Sequence, residues 1–165
     1  MELKTQYTRD GKVFEFRYRD EDPLTNLGNN VLQGVHAFCF CGDKLVIVGS
    51  DKKGYWTPPG GGIEPGETYD QAVMREVKEE TNMKVLYQEQ IGYQDVWISD
   101  ENRTIRQVRV FCIVEPYGDF VSDPDGDITE IKLVDPQEFR EYIKWGEIGD
   151  YLMKRALELK AKYKE

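Results

Sequence analysis

The sequence predicts an α/β domain in which helices cover a mixed β-sheet. Three observations carry that expectation. Runs rich in β-branched and aromatic residues lie both before and after one long acidic helix, a second amphipathic helix follows at the C-terminal end, and 165 residues suffice for one substantial core but not for two ordinary domains. Residues 1–165 are therefore expected to form one domain, with 1–30 as an N-terminal strand-and-loop extension and 60–83 as the loop and helix that the rest serves.

Taken in order, Lys12 to Arg19 sets Phe14, Phe16 and Tyr18 against Glu15, Arg17 and Arg19, the alternation of a half-buried strand. Asp20 to Asn30, with Pro23 and Gly28, reads as a polar loop, and this first segment adds either a strand to the main sheet or a contact for a homodimer. Val35 to Cys41 and Lys44 to Gly49, parted by Gly42-Asp43, are apolar on both sides and so read as a hairpin of central strands. His36, the single histidine, is expected to be a packed strand residue. Ser50 to Gly54 is a loop, and Tyr55 to Pro58 is a short strand leading into Gly60-Gly61-Gly62, which reads as a tight loop. Lys84 to Ile98 and Ile105 to Val114 form a long hairpin around Ser99 to Asn102. Pro116 to Asp127 is an acidic loop whose aspartates suit turns, and Ile128 to Val134 is a strand. A short helix from Asp135-Pro136 to Tyr142 precedes an amphipathic helix over Glu147 to Tyr163, with Ile148, Tyr151, Leu152 and Leu159 inward.

The charge balance narrows the function classes. Lys and Arg total 22 against 31 acids, a formal charge of -9, so the surface lacks the basic footprint that nucleic-acid binding demands. For a small phosphate ester the same balance requires a metal to supply positive charge. Cys39, Cys41 and Cys112 lie in strand-like runs, read as reduced core residues, and are too sparse with one His for a zinc site. With no apolar run of spanning length and a polar start, the expected location is the cytoplasm, with no membrane partner.

The helix after the glycines holds the most informative pattern. Thr68 with Gln71 reads as a capping box, and Tyr69 to Thr81 runs without Gly or Pro. At about 100° per residue, with Val73 at the centre of the apolar stripe, Val77 and Tyr69 flank it, Glu80 lies about 20° off centre and Glu76 about 60° off. Glu79, about 120° away, falls just outside the stripe. A run such as REVKEE is ordinarily a solvated charged face. Here that reading fails, because three like charges at i, i+3 and i+4 repel and two of them turn inward. Buried carboxylates need protonation or a cation, and Mg2+ or Mn2+ is the natural partner of clustered Glu oxygens.

Gly61, five residues, Glu67, seven residues, then Arg75-Glu76-Val77-x-Glu79-Glu80 resembles the signature box of the Nudix hydrolases at every charged position. Where the family usually has Gly, this chain has Asn82, the non-glycine residue that best tolerates a left-handed helix end. The resemblance implies an α/β/α sandwich from about Val35 to the last helix, and a metal-dependent hydrolase that cleaves the pyrophosphate linkage of a nucleoside diphosphate joined to another group. A nucleoside triphosphate or nucleotide sugar is the typical substrate. Gly60, Glu76, Glu79 and Glu80 are the candidate Mg2+ (or Mn2+) ligands, the Gly60 carbonyl by resemblance alone. Glu79 is the first candidate base, and Glu67 and Arg75 support the site. Members of the family often take a further acid from the loop before a late strand, which nominates Asp125, Asp127 and Glu130. Trp56, Tyr93 and Arg106, with Trp97 and Arg103, are candidate substrate contacts. The alternative from another class is a Nudix-type nucleotide-binding or sensor module without turnover.

Overall fold

Alternation along two neighbouring strands decides the layering. The computed structural model describes residues 2–50, 54–121, 123 and 127–163. In it strand β3 (Val31–Cys41) runs parallel to β8 (Arg103–Pro116), pairing Val35 with Val108, Ala37 with Val110 and Cys39 with Cys112. Successive strand residues face opposite sides. Val35, Ala37, Cys39, Val108, Val110 and Cys112 thus form one core with Val73 and Val77 of helix α1 (Tyr69–Thr81). Their neighbours Phe38, Phe40, Phe111 and Ile113 form a second core with Ile148, Leu152, Ala156 and Leu159 of the C-terminal helix. The expected sandwich follows directly: two helices on opposite faces of strands that are apolar on both sides.

The remaining strands are β1 (Glu2–Arg9), β2 (Lys12–Arg19), β4 (Lys44–Gly49), β5 (Trp56–Thr57), β6 (Gly60–Gly62), β7 (Met83–Ile98) and β9 (Glu130–Val134). The sheet runs β1-β2-β7-β8-β3-β4-β5, with β6 on β3 and β9 on β4, and among the described residues only β3 with β8 is parallel. Helix α2 (Phe139–Tyr142) follows a single turn of tighter helix at Pro136–Glu138, whose Gln137 amide is capped by Asp135 Oδ1 at 2.9 Å. Helix α3 spans Gly146–Lys162.

Three expectations are corrected. The glycines of 60–62 pair with β3 as a strand, because the absence of side chains lets their backbone lie against it: a Cβ on Gly60 would stand 2.1 Å from the Val35 carbonyl oxygen. The N-terminal extension contributes two strands to the main sheet, since Asp10 and Gly11, both at positive φ, turn β1 back onto β2. Strand β3 starts at Val31, four residues before the predicted Val35, because Val31 and Leu32 continue the pairing with Ile105 and Arg106.

Candidate active site

Helix α1 carries the site, and its ends fix where the acids point. Thr68 and Gln71 make both hydrogen bonds of the capping box, Gln71 N–H to Thr68 Oγ1 at 3.3 Å and Thr68 N–H to Gln71 Oε1 at 3.0 Å. At the other end Asn82 sits in the left-handed region at φ 54°, as the sequence suggested, and its Nδ2 also donates to the Asp119 carbonyl at 3.0 Å. Between these caps the burial order matches the helical wheel. Glu80 is 8% exposed and accepts from the Gly60 amide at 2.8 Å, whereas the Glu79 side chain is 27% exposed.

Gly61 shows why this loop must lack side chains. A Cβ there would meet Glu76 Oε1 at 2.5 Å, so the carboxylate rests directly on the glycine backbone. Burial holds the Glu76 carboxyl above its usual range, opposed by Arg75, with Glu79 and Asp123 adding to the rise.

Arg75 is the organiser. Its Nε and Nη2 donate to the two oxygens of Glu67 at 2.8 and 2.9 Å, its Nη2 also reaches the Gly62 carbonyl at 2.9 Å, and its Nη1 reaches Glu76 at 2.9 Å and Glu79 at 3.4 Å. This planar fork holds the Glu67 carboxyl down to about 2, first through the hydrogen bonds themselves. Glu64 also lies within 3.8 Å, so one guanidinium is shared among the carboxylates of Glu64, Glu67, Glu76 and Glu79.

Among the described residues no three His, Cys, Asp or Glu side chains are gathered as a ready cation cage. The reason is local: Glu80 is turned to the Gly60 amide, and Arg75 draws on Glu76 and Glu79. The residues nevertheless fit a hard divalent cation in kind and charge. Every donor is an oxygen, the acids exceed the shared cation, and Glu76 is desolvated in a cradle that any Cβ would close.

The other candidates fall as follows. Asp125 lies outside the described residues, Asp127 is exposed, and Glu130 begins β9 opposite Gly49. Asp123, which the sequence offered only as a turn residue, is instead buried and close enough to raise Glu76; its carboxylate accepts from the Ile128 amide at 3.3 Å. Only long-range placement distinguishes it from its neighbours.

Arg106 is corrected from a substrate contact to a structural tie. It is 1% exposed, forks onto Asp95 at 2.8 and 3.1 Å, donates to the carbonyls of Pro23, Thr25 and Asn26, and stacks on Tyr93 at 3.7 Å. Tyr93 in turn donates to Glu21 at 3.1 Å. Trp56 packs edge-on to Tyr142 at 6.2 Å, while its neighbours Tyr55 and Thr57 line a cavity of about 680 Å³. Arg103 is exposed and paired with Glu101 at 2.7 Å, and Trp97 lines a separate surface groove.

The family described as NUDIX domain matches residues 32–156. An uncharacterized Nudix hydrolase, YvcI of Bacillus subtilis, is 29% identical over 115 residues, covering 68% of this chain and 73% of its own length. A Mycobacterium tuberculosis protein bearing the name mutator protein MutT4 is 28% identical over 116 residues; the match covers 69% of this chain but 47% of MutT4, so the chain spans about half the length of that relative. Among solved structures, a mutant of the Bacillus subtilis pyrophosphohydrolase BsRppH superposes with a TM-score of 0.71 at 20% identity, covering 88% of this chain and 91% of the other. That likeness extends to the fold.

Proposed function

The chain belongs to the Nudix hydrolase family, and from that premise we propose that it is a metal-dependent pyrophosphohydrolase acting on a nucleoside diphosphate linked to another group. The observation that carries this reading is the seating of acidic α1 on the glycine strand, with Glu76 against Gly61 and Glu80 on the Gly60 amide. A pyrophosphate resists attack because its charge repels a nucleophile. A bound Mg2+ or Mn2+ supplies the positive charge on the phosphate oxygens and acidifies a water.

The chain's own residues do the rest. Glu76, Glu79 and Glu80, with the Gly60 carbonyl, would hold the cation. Arg75 orients Glu67, Glu76 and Glu79 by hydrogen bonds from one planar group and offsets their repulsion. Of Glu76, Glu79 and Glu80, Glu79 is the most exposed, and its contact to Arg75 is longer than that of Glu76, so it is the carboxylate best able to leave Arg75 and accept a proton from water. Asp127, or Asp125, stands second for that role, and Glu67 positions Arg75.

With Mg2+ and a panel of nucleoside triphosphates, dinucleoside polyphosphates and nucleotide sugars, the protein should release a nucleoside monophosphate. Glu79→Gln or Glu80→Gln should each lower kcat/KM by about two powers of ten or more, if metal positioning supplies several kcal/mol. Full activity in both variants would overturn the assignment.

A further inference from the structure

On the α3 face of the sheet, next to the glycine strand, lies the cavity of about 680 Å³, within the size range of small-ligand sites. Its walls include Tyr7 and Phe16 of the N-terminal hairpin, Arg109 of β8, Tyr55 before β5, and Lys144 and Trp145 before α3. Residues 5–16 precede the family match, which begins at 32. In a chain of charge -9 the lining contains, among the described residues, an Arg and a Lys and no carboxylate.

Arg109 is the anomaly. It is 2% exposed, its Nε has no hydrogen-bond partner among the described residues, and its Nη1 reaches only the Val108 carbonyl, at 3.5 Å. Its Nη2 donates to Gln107 Oε1 at 3.0 Å and its guanidinium lies 5.1 Å from the Trp145 ring. Burial pulls its guanidinium down to about 10, so the folded chain bears the cost of a desolvated cation that no carboxylate among the described residues neutralises. Gln107 is pinned by its neighbours, its Oε1 accepting also from Gln94 at 3.3 Å while its Nε2 donates to Gln33 at 3.4 Å. His36 and Gln107 also line a small cleft with Gly61 and Gly62, so the cavity adjoins the glycine strand where a diphosphate would lie.

Resting on the proposed hydrolase reading, we infer that this cavity receives the nucleobase of the substrate and that Arg109 selects a 6-oxopurine. The aromatic side chains of Tyr7, Phe16, Tyr55 and Trp145 offer planar contact area suited to a ring rather than to a phosphate. An arginine offers only donors, which match the adjacent O6 and N7 acceptors of guanine or hypoxanthine. Adenine places an amine donor at the first of those positions and leaves the buried donor unanswered. The N-terminal hairpin thereby becomes a specificity wall added to the matched domain.

Titration calorimetry in excess Mg2+ with GMP, AMP and inorganic phosphate tests this. The wild-type protein should bind GMP about tenfold or more tighter than AMP, and phosphate should compete weakly. Arg109→Met should erase the preference while its Tm stays level or rises, because an unneutralised buried charge is removed; a merely structural Arg109 would lower Tm and leave the preference intact. Should Arg109→Met not fold, Tyr55→Ala at an exposed position should weaken GMP binding severalfold. Equal binding of GMP and AMP by the wild-type protein, or displacement of GMP by phosphate alone at equal concentration, overturns the inference. The hydrolase reading is scored separately: a GMP preference retained by a wild-type protein that cleaves no nucleotide leaves the pocket standing and removes the activity.

Discussion

At the scale of single residues, the site is a contest between desolvation and pairing, and Glu67 and Glu76 stand on opposite sides of it. Glu67 is held down to about 2 by Arg75, so its pairing stabilises the fold fully above the ordinary value of 4.5 and is lost as pH falls from there toward about 2. Glu67→Gln should therefore flatten the fall of Tm across that window, which thermal melts at stepped pH would show. Glu76 is shifted upward by burial, so its charged form costs stability at neutral pH. Glu76→Gln should raise Tm at pH 7 without metal, by about 2–4 °C per kcal/mol recovered, while removing the Tm gain on adding Mg2+. A fall in metal-free Tm would contradict this account of Glu76. The inward turn of Glu76 and Glu80 was legible from helical spacing alone, because 3.6-residue periodicity fixes azimuth whatever the tertiary fold. Trp56 and Arg106 were not: a strand residue's partners depend on which strands flank it, and Asp95 lies opposite Arg106 only once β7 and β8 have paired.

At the scale of elements, α1 matched its predicted bounds at both ends, since a capping box and a left-handed Asn are local signals. Asn82 offers a test. Asn82→Gly should be nearly neutral, relaxing the backbone while losing the bond to Asp119, whereas Asn82→Val should cost about 1–2 kcal/mol in denaturant unfolding. An equal cost for both would show that the side-chain bond, not the backbone conformation, governs this position. The glycine strand was illegible as a strand because its pairing with β3 depends on missing side chains rather than on any β-forming ones. Gly61→Ala follows from that packing. Its methyl would displace the Glu76 carboxylate, so kcat/KM should fall by about tenfold or more with a modest change in Tm.

At the scale of the whole molecule, one sheet, nine-stranded among the described residues, joins the N-terminal hairpin to the site-bearing core. Arg106 ties the loop after that hairpin to the sheet through three backbone carbonyls and Asp95. Arg106→Met leaves the half-buried Asp95 carboxylate without its partner and should cost about 2 kcal/mol, most of it recovered in the double variant with Asp95→Leu; no recovery would mean the carbonyl contacts dominate. Among the described residues no helix is long and apolar enough to cross a membrane. The proposed hydrolysis requires the acidic face of α1 to be a divalent-cation site. A titration with Mn2+, followed by electron paramagnetic resonance at near-neutral pH, tests that most directly. The wild-type protein should take up at least one Mn2+ stoichiometrically and Glu80→Gln should lose it, whereas indistinguishable weak binding by the two proteins would contradict the claim.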